Sequence, residues 1–185
     1  FQELQQTWPF PRSVHAALLE RLRADGALAV GLDIVFADPT TEAEDAALDR
    51  TMAQVGQGLP VVLASTREKI DSANAALWMD IQPLQRFLDA GADAGDAGVE
   101  PDDDFVVRRA PVAREGFALR LAQRVTEARG QTPALHHFDW IGYRGPRGTF
   151  DTRSYYQALE PGLLPAGFFK GKIVLVGRSA RTATE

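Results

Sequence analysis

Between Ser13 and Phe36 the chain passes from a helical hydrophobic period to an unbroken apolar run, and this pair of elements anchors the rest of the pattern. Val14, Leu18 and Leu22 recur at helical spacing with Ala17 beside them, which predicts a helix with one stripe facing a core. Ser13 stands where an N-cap hydroxyl belongs, and Gly26 where a left-handed glycine ends a helix. Ala27 to Phe36 shows no alternation, the pattern of a strand covered on both faces. Asp33 interrupts it. A carboxylate there is expected to be mostly buried and to make at least one hydrogen bond or salt bridge, with an arginine such as Arg12 or Arg178 as a candidate, because an isolated buried charge is very costly.

The same reading continues down the chain. Thr41-Glu42-Ala43-Glu44 has the form of a capping box, and Ala47, Leu48, Thr51, Met52 and Val55 follow as a helical stripe ended by Gly56 and Gly58. Leu59 to Ser65 is a short strand, so strand, helix and strand predict a parallel pair with a right-handed crossover. Residues 67–80 show no clean period, although Trp78 and Met79 need cover. Pro83 opens a short helix through Ala90. Residues 89–104 form an acidic loop rich in Ala, Gly and Asp, whose Asp102-Asp103-Asp104 reads as a turn joining two short antiparallel strands.

Glu115 to Arg129 is a helix with Phe117, Leu121 and Val125 on one face and Gly130 as its stop. Phe138 to Tyr143 reads as a short strand, Gly145-Pro146-Arg147-Gly148 as a loop, and Thr152 as the cap of a brief helix through Leu159. After a loop over 162–171, Lys172 to Gly177 reads as a central strand. The alternation predicts one domain over 1–185, with 1–7 as an entry arm. Its fold class is α/β, a layered domain with a mostly parallel, mixed central sheet flanked by helices.

Composition narrows the function classes. A chain of 185 residues, 45% apolar, builds one substantial core. The net charge of −5 with dispersed basic residues gives nucleic-acid binding no support. The absence of cysteine excludes disulfides and thiolate metal sites. No run approaches the ~18–20 apolar residues of a membrane span, and the chain opens on Phe1 without a leader pattern, as a fragment of a longer protein would.

The chemical candidates are weak against their ordinary readings. Asp33 after an apolar strand resembles the nucleophile of an aspartyl phosphatase, but Val35 stands where the acid partner is required. Asp93, Asp96 and Asp102 to Asp104 lack the spacing of a calcium loop. His136 and His137 would point to opposite faces of a strand, and His15 is isolated. Gly171-Lys172 and Gly145-Pro146-Arg147-Gly148 lack the context of a phosphate or dinucleotide loop, and no nucleophile elbow is present. No catalytic residue, metal or cofactor is expected.

Trp8-Pro9, Pro11-Arg12, Gly31 with Asp33, and Phe36-Ala37-Asp38-Pro39 form an ordered set with Asp104, Val107-Arg108-Arg109, Pro111, Ile141, Tyr143, Tyr155 and Gly171-Lys172-Ile173-Val174-Leu175-Val176-Gly177. Together they resemble the second of the CHASE families, the cyclase- and histidine-kinase-associated sensory extracellular domains. The family's last motif usually continues Gly-Ala-Thr-Ala, whereas here Gly177 is followed by Arg178-Ser179-Ala180. The resemblance implies a non-catalytic sensory module outside the cytoplasmic membrane of a bacterial receptor. Its membrane helices would flank this sequence, and its cytoplasmic output would be a nucleotide cyclase, a kinase or a diguanylate cyclase. It also implies structural roles for Trp8, Pro9, Pro11, Arg12 and Asp33, and a turn-and-strand element carrying Arg108 and Arg109.

A receptor of this kind is expected to dimerise weakly or only in its full-length form, as a homodimer through the entry arm and first helix, so that the isolated domain is compatible with a monomer at micromolar concentration. Its signal would be a small molecule or ion. The expected site is the carboxyl edge of the parallel strands, where Asp38, Ser65, Thr66, Arg67, Arg178 and Ser179 would suit an anionic or zwitterionic ligand. Two other readings stand beside this one: a stand-alone hydrolase or phosphatase-like enzyme, and a structural assembly domain without a ligand.

Overall fold

A computed structural model of the chain describes residues 8–72, 75–109, 116–132, 140–146 and 148–178. The first helix, α1, spans Arg12–Ala24, and the strand that follows, β1, spans Ala29–Asp33. α1 buries Arg12, His15, Ala16, Leu18, Leu19 and Leu22, so the core stripe includes His15 and leaves Ala17 outside. Ser13 is not its cap. Pro11 occupies that position with no side-chain bond, and Ser13 instead binds Glu44. The helix ends as expected at Gly26, with φ of +81°. There the Ala27 amide bonds the Leu22 carbonyl and the Gly26 amide bonds the Arg23 carbonyl, a pair that satisfies two orphan acceptors of the last turn.

Helix α2 (Glu42–Val55) carries the chain from β1 to β2 (Val61–Ser72), and β1 and β2 pair in parallel. Thr41 caps α2 by accepting from the Glu44 amide, but the glutamate half of the expected capping box is diverted to Ser13. β2, at 12 residues, runs on past the expected end at Ser65 to Ser72. Its first part lies in the parallel sheet, and from Thr66 onward it forms an antiparallel hairpin with β3 (Ala75–Ile81). Residues 67–80 are thus mostly strand; no clean period marked them, since their described side chains, 67–69 and 77–80, are exposed whether polar or apolar. Helix α3 (Gln85–Asp89) follows Pro83 as expected, and strand β4 (Asp93–Asp96) lies inside the acidic segment that had read as loop.

Helix α4 (Phe117–Ala128) buries Leu121 and Val125, and helix α5 (Tyr155–Leu159) is capped by Ser154 in a full capping box with Gln157, not by Thr152. Phe138 to Tyr143 is not a strand where it is described: Trp140 makes a single antiparallel bridge to Arg109, and 133–139 lie outside the described residues. The last strand, β5 (Ile173–Gly177), pairs in parallel with β1. It is an edge strand rather than a central one, since among the described residues nothing pairs with its other side.

The order β4-β2-β1-β5 is parallel throughout, and the β2–β3 hairpin adds the antiparallel pairing. α1, α2, α3 and α5 pack on one face around Val30, Leu32, Leu63 and Val176. α4 covers the other face over Ala29 and Val62. Gly31 marks the tightest approach there: a Cβ would stand 2.7 Å from Phe117 Cζ and 3.0 Å from Leu121 and Leu175 methyls. This is the expected α/β layered domain with a mixed, mostly parallel sheet.

Candidate functional site

α1 precedes β1 and runs back along it, so its first residues stand at the carboxyl end of β1, beside the loop that leads to α2. Arg12 lies there almost fully buried. Its guanidinium sits 4.4 Å from the Phe36 ring, donates from Nη2 to the Asp38 carbonyl at 2.9 Å, and forms an ion pair with Asp45 at 3.5 Å. Asp45 is buried as well and accepts from the Thr40 amide at 2.9 Å and the Thr40 hydroxyl at 2.7 Å. Burial raises the Asp45 pKa, but the Thr40 donors and Arg12 outweigh it and hold it below the ordinary value. The charge of Arg12 is therefore answered inside the protein, between the entry segment and the start of α2.

An aromatic chain wraps this pair. Trp8 and Phe10 meet edge to face at 5.5 Å, Phe10 meets Tyr155 at 5.2 Å, and His15 lies 5.3 Å from Phe36. His15 Nδ1 and the Tyr155 hydroxyl are 2.7 Å apart. Burial, reinforced by the Arg12 charge, pushes the His15 pKa down to about 4 against a hydrogen bond with the Phe10 main chain. The imidazole is thus neutral near pH 7 and shares one hydrogen bond with the hydroxyl. Burial also raises the Tyr155 pKa. The Trp8–Pro9 peptide is cis. Arg12, through the Asp38 carbonyl and Asp45, and Phe10 and His15, through Tyr155, latch the start of α1 to the β1–α2 loop, α2 and α5, and Trp8 joins through Phe10.

A second tie joins the other end of α1 to the approach to β5. Asp25 accepts from the amides of Gly167 and Phe169, each at 2.7 Å, across 142 and 144 residues of sequence. Its burial works against the charge, but these two amides, Arg21 and Lys172 together hold its pKa below the ordinary value. α1 is clamped at both ends.

Asp33 departs from expectation. It is exposed, and among the described residues its carboxylate makes no hydrogen bond or ion pair. β1 ends there instead of running to Phe36, so Asp33 leaves the covered part of the sheet and lies against Gly177 of β5, its Cβ 3.3 Å from where a Gly177 Cβ would stand. Arg12, its expected partner, belongs to Asp45.

The parallel sheet directs the ends of β1, β2 and β5 to one edge, but the six expected ligand residues have different surroundings. Asp38 is exposed and offers its carbonyl to Arg12 on the α1 side. Ser65 is buried within β2, opposite Asp96 of β4. Thr66 and Arg67 belong to the hairpin, where Arg67 pairs with Asp80 at 3.1 Å and stands 5.4 Å from the Trp78 ring. Arg178 is exposed after β5, and Ser179 lies outside the described residues. A groove of about 290 Å³ between α1 and α2, lined by Ser13, Glu20, Arg50 and Thr51 among others, contains none of the six.

The acidic triplet does form a turn. The Phe105 amide bonds the Asp102 carbonyl, Phe105 has φ of +61°, and Arg108 holds Asp104 at 2.6 Å and Asp102 at 2.9 Å. Arg109 stands 5.5 Å from the Trp140 ring, and the Tyr143 hydroxyl donates to the Val107 carbonyl. The pair Arg108 and Arg109 staples the turn to 140–143 rather than flanking a two-stranded sheet. Pro111, His136 and His137 lie outside the described residues.

Four residues of the latch and clamp escaped the sequence reading as partners: His15, Asp25, Asp45 and Glu44. Two carried a signal. Asp45 is in helical register with Leu48, Met52 and Val55, and His15 with Leu18, Leu19 and Leu22, so each falls on a core stripe.

The fold and site together define a parallel α/β domain organised around a latched entry segment. The CHASE2 domain family model matches residues 1–185, the whole length, and the chain belongs to the CHASE2 family. CHASE2 domains are extracellular sensory domains, not catalytic ones. Comparison with curated proteins and with solved structures gives no match.

Proposed function

We propose that this chain is the extracytoplasmic signal-input domain of a bacterial transmembrane receptor. Among the described residues no helix is long and apolar enough to cross a membrane, so the spans of such a receptor belong to segments flanking the domain. The cytoplasmic output is of the nucleotide cyclase, kinase or diguanylate cyclase kind. The observation that supports this reading is the CHASE2 match over residues 1–185, and the buried Arg12–Asp45 pair at the first turn of α1 supplies its mechanical part. It fixes the entering chain to the start of α2, while His15 and Tyr155 fix it to α5. A shift of the entry segment therefore cannot occur without rearranging buried charge, and a signal would act by biasing the latched arrangement against a released one. A small molecule or ion at the carboxyl edge, near the exposed Arg178, would select between them.

The location is tested by topology. A parent gene truncated after Glu185 and fused to alkaline phosphatase, which is active only outside the cytoplasm, should give active enzyme in the bacterial host. Inactive phosphatase together with a fluorescent cytoplasmic fusion at the same point would overturn the proposal.

A further inference from the structure

β2 does not stop where the parallel sheet stops. From Thr66 to Ser72 it pairs with β3, Thr66 opposite Ile81 and Ser72 opposite Ala75, as a two-stranded antiparallel arm. Leu77, Trp78 and Met79 are 64%, 51% and 46% exposed, and successive strand residues face opposite sides, so both faces of the arm present large apolar groups to water. A two-stranded hairpin alone is marginal in water, and independent stability takes three or more strands. Among the described residues nothing pairs with the outer edge of β3.

We propose that this edge pairs with the same edge of a second copy of the chain, antiparallel about a two-fold axis at Trp78. The two arms then form one four-stranded sheet. In that register Trp78 faces its symmetry mate, Leu77 faces the partner's Met79, and Asp80 faces the partner's Ala76. Apolar side chains oppose apolar ones, and the two Asp80 positions are held ~13 Å apart along the strands. Arg67, already paired with Asp80 and close to the Trp78 ring, supplies a cation on the tryptophan face in each copy.

The competing edge is β5, where Leu175 is 68% exposed and Ile173 48%. A two-fold axis at Leu175 would set Lys172 directly against the partner's Arg178, and like charges opposite one another destabilise a strand pair. The flanking cations thus guard β5 in the way edge strands are commonly protected, while β3 has no such guard in its own register. α1, the surface expected from the sequence, turns its long apolar side chains inward. The proposal moves the pairing surface from α1 to the hairpin arm and is independent of the latch.

The chain has no cysteine, so introduced thiols report without background. Directly opposed strand residues have Cα atoms ~4.5–5.5 Å apart, within disulfide reach. Leu77→Cys and Met79→Cys chains, mixed and mildly oxidised, should give the mixed disulfide dimer faster than either gives a dimer alone. Both should also outpace Leu175→Cys, whose position is more exposed. Sedimentation of the unmodified chain at submillimolar concentration should show a dimer that Leu77→Lys abolishes while its melting temperature holds. A strictly monomeric unmodified chain, or cross-linking through Leu175→Cys as fast as through the mixed pair, would overturn the proposal.

Discussion

Arg12 and Asp45 are both buried, and each is tolerable there because of the other. Removing one member of a buried pair strands the second charge, which typically costs ~3–5 kcal/mol, whereas replacing both with apolar groups of similar size is often neutral. Asp45→Ala is therefore expected to lose about 3 kcal/mol in urea unfolding, and Arg12→Met with Asp45→Leu to recover most of it. Asp33→Ala, at an exposed site, should stay within ~0.5 kcal/mol. His15 adds a pH dependence. Its folded pKa of about 4 lies below the ordinary 6.5, so the unfolded chain takes the proton first. The stability held by neutral His15 is complete above pH 6.5 and is lost as the pH falls toward 4, by up to ~3 kcal/mol. Asp25 and Asp45, whose pKa values are lowered, release their share only below the ordinary carboxylate value of 3.8. His15→Gln should flatten the melting-temperature profile in the window between 6.5 and 4; an unchanged slope there would remove His15 from the account.

At the scale of elements, the periodic ones were legible and the ones shaped by neighbours were not. α1, α2, α4 and the parallel β1–β2 pair follow from stripes and glycine stops that local sterics enforce. The ends of β1 and the place of β5 depend on which helix covers which part of the sheet, and α4 packs on β4, β2 and β1. The apolar run Ile173–Gly177 looks central by composition because it shows no alternation, yet it is an edge strand with Val176 in the core and Ile173 and Leu175 exposed. The hairpin shows no hydrophobic period because its described side chains, 67–69 and 77–80, are exposed on successive positions rather than sorted between a core and water. Gly31 shows how tightly α4 sits. Gly31→Ala would drive a methyl to within 2.7 Å of the Phe117 ring, and overpacking of this kind costs ~1–3 kcal/mol. Calorimetry should show the lower melting temperature, and Phe117→Leu in the same chain should restore part of it.

For the whole molecule, family membership and fold were legible because the motif residues are spread along most of the chain. The site was legible only in part. Arg12 pairs with Asp45, and Trp8 meets Phe10, which meets Tyr155, so these contacts arise from side chains that come together only after the helices pack. Clamped by the latch at one end and by Asp25 at the other, α1 moves with the entry segment or not at all. That coupling is the central claim, and the output of the full-length receptor in membranes measures it. Arg12→Met with Asp45→Leu removes the latch charge while keeping the domain folded, so in the receptor proposed above the basal output should shift severalfold from the unmodified protein, with the domain's melting temperature near its original value. Output identical to the unmodified receptor in that folded variant would contradict the claim.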